Sequence, residues 1–310
     1  MTSRRSLRCT ALVSAVMALA ACSLSSNPFD PPGPTPSLGV TVPTAAPDTA
    51  LVGLVTDYGQ CDDAEAQVAD LVRGWQTDVV VTAGDNTQGV DGCVPFTESV
   101  GDYYQDLIDD PRGPRFYPIV GNHDYEDAGA GIEAYARYFD YLPHNADPMG
   151  RWYSLAVGPV TFFMLDNDTP KADLKAQQLW LKDALAAAPE DSWKVVMFHR
   201  PPFTSGPHDP FTPMNPTAGW AYQEWGADIV LNGHQHVFED VIVDDLHYVT
   251  TGVGGKLLER ECSVERTPGS QVCIEGVGAV RLRADPANFT LQHYLLDQPD
   301  QPDYEITLTK

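Results

Sequence analysis

A series of short apolar runs, each followed at once by polar residues, constrains this chain more than any other feature. Continuous apolar runs of this length are typical of strands that are buried on both faces of a sheet. We therefore predict six buried strands, at residues 51–55, 79–82, 116–120, 160–165, 195–198 and 229–231.

Stretches with helical periodicity lie between several of these runs. Val68, Leu71, Val72 and Trp75 are spaced i, i+3, i+4, i+7, which places them on one face of a helix. Residues 173–188 repeat this pattern, and after residue 246 the chain is mostly strand-like. Strands that alternate with helices predict an α/β fold, here with a strand-rich carboxyl-terminal part.

The polar residues that follow the predicted strands are of the types that bind metal ions. In an open α/β sheet, ligands bind where the carboxyl ends of the strands meet. Carboxylates, an amide and imidazoles should converge there, and such oxygen and imidazole ligands suit Fe, Mn or Zn. The residues concerned are Asp57, Asp85, Asn122, His123, Asp124, His199, His234 and His236.

The charge balance of the chain is strongly acidic. Lys and Arg number 19 against 43 Asp and Glu, which gives a formal net charge of −24. Proteins that bind nucleic acid, or adhere to anionic lipid by charge, need a basic surface, so this composition argues against both partners. An anionic substrate would have to meet positive charge from a source other than side chains, and bound metal ions are such a source.

The amino-terminal residues have the pattern of an export signal. Three arginines within the first eight residues precede an uncharged run over residues 9–21, which is too short for the ~20 residues of a membrane-spanning helix. The run ends in Leu-Ala-Ala-Cys at residues 19–22, which resembles the lipobox of bacterial lipoproteins. This resemblance implies a signal peptide at residues 1–21 and a lipid on Cys22. The alternative is an ordinary secretory signal.

The domain organisation and the location follow from this interpretation. Residues 22–49 include a stretch rich in Pro and Thr and are expected to form an extended linker. No second linker divides residues 50–310, so we predict one domain there. We expect an extracytoplasmic monomer that contacts the bacterial cell membrane through its lipid anchor only. In that oxidising compartment its four remaining cysteines favour two disulfides, with three pairings open.

Taken in order along the chain, the motifs resemble the signature of the calcineurin-like metallophosphoesterases. The matching residues are Asp57, Gly84-Asp85-Asn86, Gly121-Asn122-His123-Asp124, His199 and Gly233-His234-Gln235-His236. Their spacing and flanks are most similar to the purple acid phosphatase branch. The resemblance implies an α/β fold that is a four-layer α/β/β/α sandwich with two mixed β-sheets. That fold brings together the loops flanked by Cys61 and Cys93, and by Cys262 and Cys273, and so favours these two disulfides.

The resemblance also implies a centre of two divalent or trivalent metal ions (Fe, Mn or Zn). The first ion would be bound by Asp57, Asp85 and His236, and the second by Asp85, Asn122, His199 and His234. A carboxylate has two oxygens, which allows Asp85 to bridge both ions. A hydroxide held by the metals would then attack phosphorus in line.

Four further residues have roles that the resemblance implies. His123, oriented by Asp124, would protonate the leaving oxygen or orient the phosphoryl group. His208 resembles a family histidine that approaches the substrate, and Arg200 follows a predicted ligand, where it could contact phosphate.

The sequence departs from the family pattern at the first ion. Most of the superfamily has a histidine two residues after the first aspartate, where this chain has Gly59. The purple branch has a tyrosine three residues after the bridging aspartate, where this chain has Gln88. Gln88 is therefore an additional candidate ligand, and no phenolate charge-transfer colour is expected.

The implied function is the metal-dependent hydrolysis of phosphate monoesters, with a small-molecule phosphate ester as substrate. A phosphodiesterase on the same scaffold is one alternative, and a catalytically silent surface binding protein is another. The loops over residues 88–102 and 203–220 are expected to shape the pocket.

Overall fold

Two mixed β-sheets packed face to face form the centre of the fold, with helices on their outer faces. The computed structural model describes residues 39–89, 93–126, 131–168, 171–256 and 261–310. This architecture confirms the predicted four-layer α/β/β/α sandwich. The expected signal peptide, Cys22 and the first part of the expected linker lie outside the described residues.

All six predicted buried strands and both predicted helices are present. The strands are β1 (Val40–Val42), β2 (Ala50–Val55), β3 (Val79–Thr82), β4 (Phe116–Pro118), β5 (Tyr153–Val157), β6 (Val160–Met164), β7 (Trp193–Met197), β8 (Ile229–Asn232), β9 (Phe238–Val243), β10 (Leu246–Thr251), β11 (Ser270–Ile274), β12 (Gly278–Ala284), β13 (Asn288–Leu295) and β14 (Tyr304–Thr309). The helices are α1 (Asp63–Gly74), α2 (Asp102–Ile108), α3 (Asn122–Tyr125), α4 (Gly131–Tyr138) and α5 (Lys171–Ala187).

The two sheets have eight and six strands. Their orders are β1-β5-β6-β7-β8-β10-β9-β11 and β14-β13-β12-β2-β3-β4. Within them, β6, β7 and β8 run parallel to one another, as do β2, β3 and β4. The carboxyl ends of each parallel set therefore meet at one edge of their sheet, as the polar strand ends predicted.

The central strands are apolar throughout because both of their faces are covered. Successive residues of a strand point to opposite faces of the sheet. In β7, Val195 packs in the core between the sheets, whereas Val196 packs in a second core on the outer face. That outer core includes Leu181 and Leu185 of α5, so α5 covers the eight-stranded sheet. A strand with two covered faces cannot show the alternation of a half-exposed strand.

The domain begins earlier than we expected. Val40–Val42, which we assigned to the linker, forms β1 and pairs in parallel with β5, with Val40 opposite Leu155. Val42 is buried. A three-residue edge strand depends on a partner more than a hundred residues away, and its Pro- and Thr-rich surroundings hide it from sequence patterns.

Both expected disulfides are present. Cys61 and Cys93 are bonded with a Cα–Cα distance of 5.7 Å, and Cys262 and Cys273 with one of 6.1 Å. The first connects the loop after β2 to the loop after β3, and the second closes a loop that leads into β11. In the part of the chain that the structure describes, no helix is both long and apolar enough to cross a membrane.

Candidate metal centre

The predicted metal ligands come from both sheets. Loops after β2 and β3, together with the start of α3 beyond β4, carry Asp57, Asp85 and Asn122, and the loops after β7 and β8 carry His199, His234 and His236. The backbone N–H of His234 donates a 2.8 Å hydrogen bond to Asp57 Oδ2, which joins residues 177 positions apart. The candidate centre therefore lies where the carboxyl-end edges of the two sheets come together.

Three of these residues have a strained backbone. Asp57, Asp85 and His234 have φ angles of 55°, 51° and 70°, in the left-handed region that favours glycine. Such a conformation costs about 1–3 kcal/mol at a residue with a side chain, and it persists where the surroundings enforce it. Its recurrence at three predicted ligands indicates that the loops are shaped for a site, and not for stability alone.

Asp85, His199 and His234 form a compact donor cluster. Each can offer one ligand atom, and these atoms lie within 4.8 Å of one another. His199 Nε2 lies 3.2 Å from Asp85 Oδ2 and 3.2 Å from Asn122 Oδ1. His199 Nδ1 lies 2.8 Å from the Ala83 carbonyl oxygen, which fixes the ring. In the neutral imidazole, the Nδ1–H donates this hydrogen bond to the Ala83 carbonyl oxygen, and the Nε2 lone pair faces the cluster.

The charges of this cluster suit a cation. Burial opposes the charged form of His199, yet the Asp85 carboxylate beside it raises the pKa of this imidazole to about 10. Burial acts to raise the pKa of Asp85, but the charge of His199 brings it below its ordinary value. The Asp85 carboxylate and the His199 imidazole therefore favour one positive charge at this position, which a metal ion can supply in place of a proton.

His234 is in the protonation state that metal binding requires. Burial, and then the charges of His199 and Arg200, lower the pKa of His234 to about 2. Its imidazole is therefore neutral, which is the form that binds metal ions.

Asp57 and His236 form a second group of donors beside this cluster. Asp57 is fully buried, and its Oδ2 accepts hydrogen bonds from Thr56 Oγ1 at 2.7 Å and from the His234 N–H. Its Oδ1 accepts none from the described residues and lies 3.7 Å from His236 Nε2. Burial raises the pKa of Asp57. A buried carboxylate oxygen without a donor is costly unless a cation compensates it, so these residues also fit a metal ion.

Gly59 stands where most of the superfamily has a histidine, and packing explains why. Its φ is 79°, and a Cβ atom there would lie 2.6 Å from Thr87 Cα. The loop after β2 lies directly against the loop after β3, where the Cys93 N–H donates to the Gly59 carbonyl oxygen at 3.2 Å. No side chain fits at this position, so residue 59 contributes no ligand.

Gln88, the additional candidate ligand, is buried beside the same loop. Its Nε2 donates to the Tyr58 carbonyl oxygen at 2.8 Å. Its Oε1 accepts no hydrogen bond from the described residues. An amide oxygen is a suitable metal ligand, and ligation by Gln88 stays a prediction.

The expectation that Asp124 orients His123 is wrong. Asp124 lies in the first turn of α3, and its carboxylate turns back to accept the Gly121 N–H at 2.7 Å. It also accepts hydrogen bonds from the Asn86 N–H, the Asn86 side-chain amide and the Thr87 N–H. These hydrogen bonds attach the loop after β3 to Asp124, so the Asp124 carboxylate has a structural role.

Glu126, and not Asp124, is the carboxylate that contacts the His123 imidazole. Glu126 Oε2 lies 2.8 Å from His123 Nδ1. The carboxylate can thus hold the imidazole in a fixed orientation. The sequence carries a weak signal for this pair, since Glu126 follows His123 by three residues at the end of a helical turn.

Arg200 and His208 both lie beside His234. Arg200 Nη1 is 3.0 Å from His234 Nε2, and Arg200 Nε donates to Asp168 Oδ1 at 2.6 Å. The rings of His208 and His234 are 4.7 Å apart. The structure therefore brings both predicted substrate contacts to the centre, and it adds Asp168 as the partner of Arg200.

A family model described as calcineurin-like phosphoesterase matches residues 48–238, which include every predicted ligand. The chain belongs to the calcineurin-like phosphoesterase family. Phosphoesterases of this family use metal ions, in agreement with the donor clusters above. The match shows the family and does not identify the substrate.

Among relatives, purple acid phosphatase 17 of Arabidopsis thaliana is 25% identical over 216 residues. The match covers 58% of this chain and 59% of the relative, so it spans about three fifths of that protein's length. It supports a weak homology to purple acid phosphatases.

Solved structures share the fold of this chain. Purple acid phosphatase PPD1 from yellow lupin has a TM-score of 0.68 and 16% identity, over 85% of this chain and 54% of the lupin chain. GAP50 of Plasmodium, an anchor in the inner membrane complex, has a TM-score of 0.64 and 14% identity, over 84% of this chain and 89% of its own. At these identities the likeness concerns the fold alone.

We predict that Glu126→Gln lowers kcat of phosphate ester hydrolysis about tenfold, because the imidazole of His123 loses the carboxylate that holds it. KM should change little, since the ester binds before the proton is needed. Esters with poor leaving groups should lose more activity than aryl esters, because they depend more on protonation. Steady-state kinetics on both ester types check this.

The matched control is Glu133→Gln, which removes the same charge from an exposed position on α4. An equal loss in both variants, or no loss in Glu126→Gln, would contradict the assignment.

Proposed function

We propose that this phosphoesterase hydrolyses phosphate monoesters of small molecules at a dinuclear metal centre. The observation that carries the proposal is the convergence of two donor groups, one around Asp85 and His199 and one at Asp57 and His236. We assign Asp85 to both ions because a carboxylate has two oxygens. Its Oδ2 lies 3.2 Å from His199 Nε2, and its Oδ1 accepts the His123 N–H at 2.9 Å.

The metal ions would supply positive charge to the phosphoryl oxygens and would activate water at neutral pH. Asp57, Asp85 and His236 would hold one ion, and Asp85, Asn122, His199 and His234 the other. His123, held by Glu126, donates a proton to the leaving oxygen. Fe, Mn and Zn all suit this set of oxygen and imidazole ligands.

The charges around the centre favour a monoester. A phosphate monoester can carry two negative charges and a diester only one. The Arg200 guanidinium lies beside His234 and would offer N–H donors to the phosphoryl oxygens, although its charge is paired with that of Asp168. Asp168 holds that guanidinium from the other side. The weak homology to a purple acid phosphatase supports the same substrate class.

A catalytically silent binding protein is the second candidate, and one observation favours it. Gly59 excludes the side chain with which most of the superfamily completes the first metal position. If that position has too few ligands to retain an ion, the fold would persist without turnover.

The deciding experiment compares hydrolysis of 4-nitrophenyl phosphate and bis(4-nitrophenyl) phosphate by the full chain supplied with Fe, Mn or Zn. We expect kcat/KM to be higher for the monoester. Asp85→Asn should lower it about 100-fold or more, because one carboxylate serves both ions. Asp183→Asn, an exposed aspartate on α5, is the control and should change little.

Faster hydrolysis of the diester would replace the proposal with a phosphodiesterase. Absence of turnover of both esters with every metal would exclude the phosphatase and support the catalytically silent binding protein.

We further propose that the protein is exported and held at the bacterial membrane by a lipid on Cys22, with no other membrane contact and as a monomer. The lipobox-like residues 19–22 and the two disulfides, which suit an oxidising compartment, support this location.

Cell fractionation tests the anchor. Cys22→Ser should move the protein from the membrane fraction to the soluble fraction, while Cys9→Ser, within the apolar run, should leave it in the membrane fraction. A wild-type protein found in the soluble fraction would instead indicate an ordinary secretory signal.

A further inference from the structure

Gln235, which separates His234 from His236, makes two hydrogen bonds to the backbone of a single residue. The His208 N–H donates to Gln235 Oε1 at 2.9 Å, and Gln235 Nε2 donates to the His208 carbonyl oxygen at 2.8 Å. The Gln235 side chain is fully buried. A paired contact of this kind fixes both the position and the direction of the backbone, as a neighbouring strand would.

The loop that carries His208 lies directly on Gln235. A Cβ atom on Gly206 would lie 2.4 Å from Gln235 Oε1, so only glycine allows this approach. The His208 ring is then 4.7 Å from the His234 ring and 5.9 Å from the His236 ring. Gln235, which clamps the backbone of His208, and the predicted ligands His234 and His236 thus belong to one short turn.

A second anchor secures the same loop further back. Glu239, fully buried in β9, accepts the Ser205 N–H at 2.6 Å and the Ser205 hydroxyl at 2.5 Å. It also accepts the Ser270 hydroxyl at 2.7 Å. Ser205 also accepts the Ser263 N–H at its carbonyl oxygen (2.7 Å) and the Thr267 N–H at its hydroxyl oxygen (2.9 Å). Since these bonds and those of Glu239 secure the loop at Ser205, Gln235 is needed only for the last residues, up to His208.

We infer that Gln235 is a positioning residue that sets His208 against the metal-binding histidines, so that its imidazole meets the phosphoryl group from a fixed place. The inference rests on the proposed function. Gln235 is the third residue of the Gly-His-Gln-His motif and lies between its two histidines. A donor fixed before the substrate arrives needs no reorganisation during the reaction.

The first test measures hydrogen exchange at the His208 amide, which needs neither metal nor activity. Gln235→Leu, of similar volume, should speed this exchange about tenfold or more, because the amide loses its acceptor. The matched control is Gln177→Leu. Gln177 is equally buried and makes the same pair of bonds to the backbone of Asp166. It should leave His208 exchange unchanged.

Gly206→Ala tests the same contact by a change in the loop that carries His208. It leaves the sequence of the turn that carries His234 and His236 unaltered. Its new methyl group pushes the loop off Gln235. We expect the same faster exchange at His208. Unchanged exchange in both Gln235→Leu and Gly206→Ala would overturn the inference.

The second test is a double-mutant cycle on aryl monophosphate hydrolysis. Gln235→Leu should lower kcat/KM about tenfold in the wild type and less than about twofold in a His208→Ala background, since both changes remove one function. Gln177→Leu should have the same effect in both backgrounds. If Gln235→Leu is equally harmful with and without His208, its role is general and the inference fails.

The two proposals fail in different ways. A wild type that hydrolyses no phosphate ester would refute the proposed function, and the exchange measurement would still decide whether Gln235 clamps His208. An active wild type with additive losses would refute the inference alone.

Discussion

The approach of two buried aspartates to imidazoles from the opposite sheet is the interaction on which this structure depends. Asp85, in the loop after β3 of the six-stranded sheet, lies 3.2 Å from His199, which follows β7 of the eight-stranded sheet. Asp57, after β2, lies 3.7 Å from His236, after β8. Carboxylates buried this deeply need compensating positive charge. The strained backbone at Asp57, Asp85 and His234 is retained because the loops must direct these groups inward.

The polar residues around the candidate metal centre bind mainly to main-chain groups of the neighbouring loops. Asp124 fixes the loop after β3 and Gln235 fixes the loop that carries His208, each through main-chain groups. The Cys61–Cys93 disulfide ties the loops after β2 and β3 together.

The net charge of −24 does not exclude an anionic substrate. In the proposed function, bound metal ions would provide the positive charge that a basic surface would otherwise supply.

The parts that the sequence predicted are those fixed by local pattern. Strands covered on both faces appear as continuous apolar runs, so β2, β3 and β6 to β8 could be predicted directly from the sequence. The edge strand β1 could not, because its pairing with β5 is a long-range contact. Likewise the pairing of His123 with Glu126, and not Asp124, depends on which way a carboxylate turns in the first turn of α3. The clamp by Gln235 depends on a loop that is distant in sequence.

Anomalous X-ray diffraction from crystals of the protein soaked with Mn²⁺ tests the central claim most directly. We expect two anomalous peaks about 3.5–4 Å apart on either side of the Asp85 carboxylate. One peak should lie beside Asp57 and His236, and the other beside His199 and His234. Absence of any peak at Asp85, or a peak on one side only at saturating Mn²⁺, would contradict a dinuclear centre.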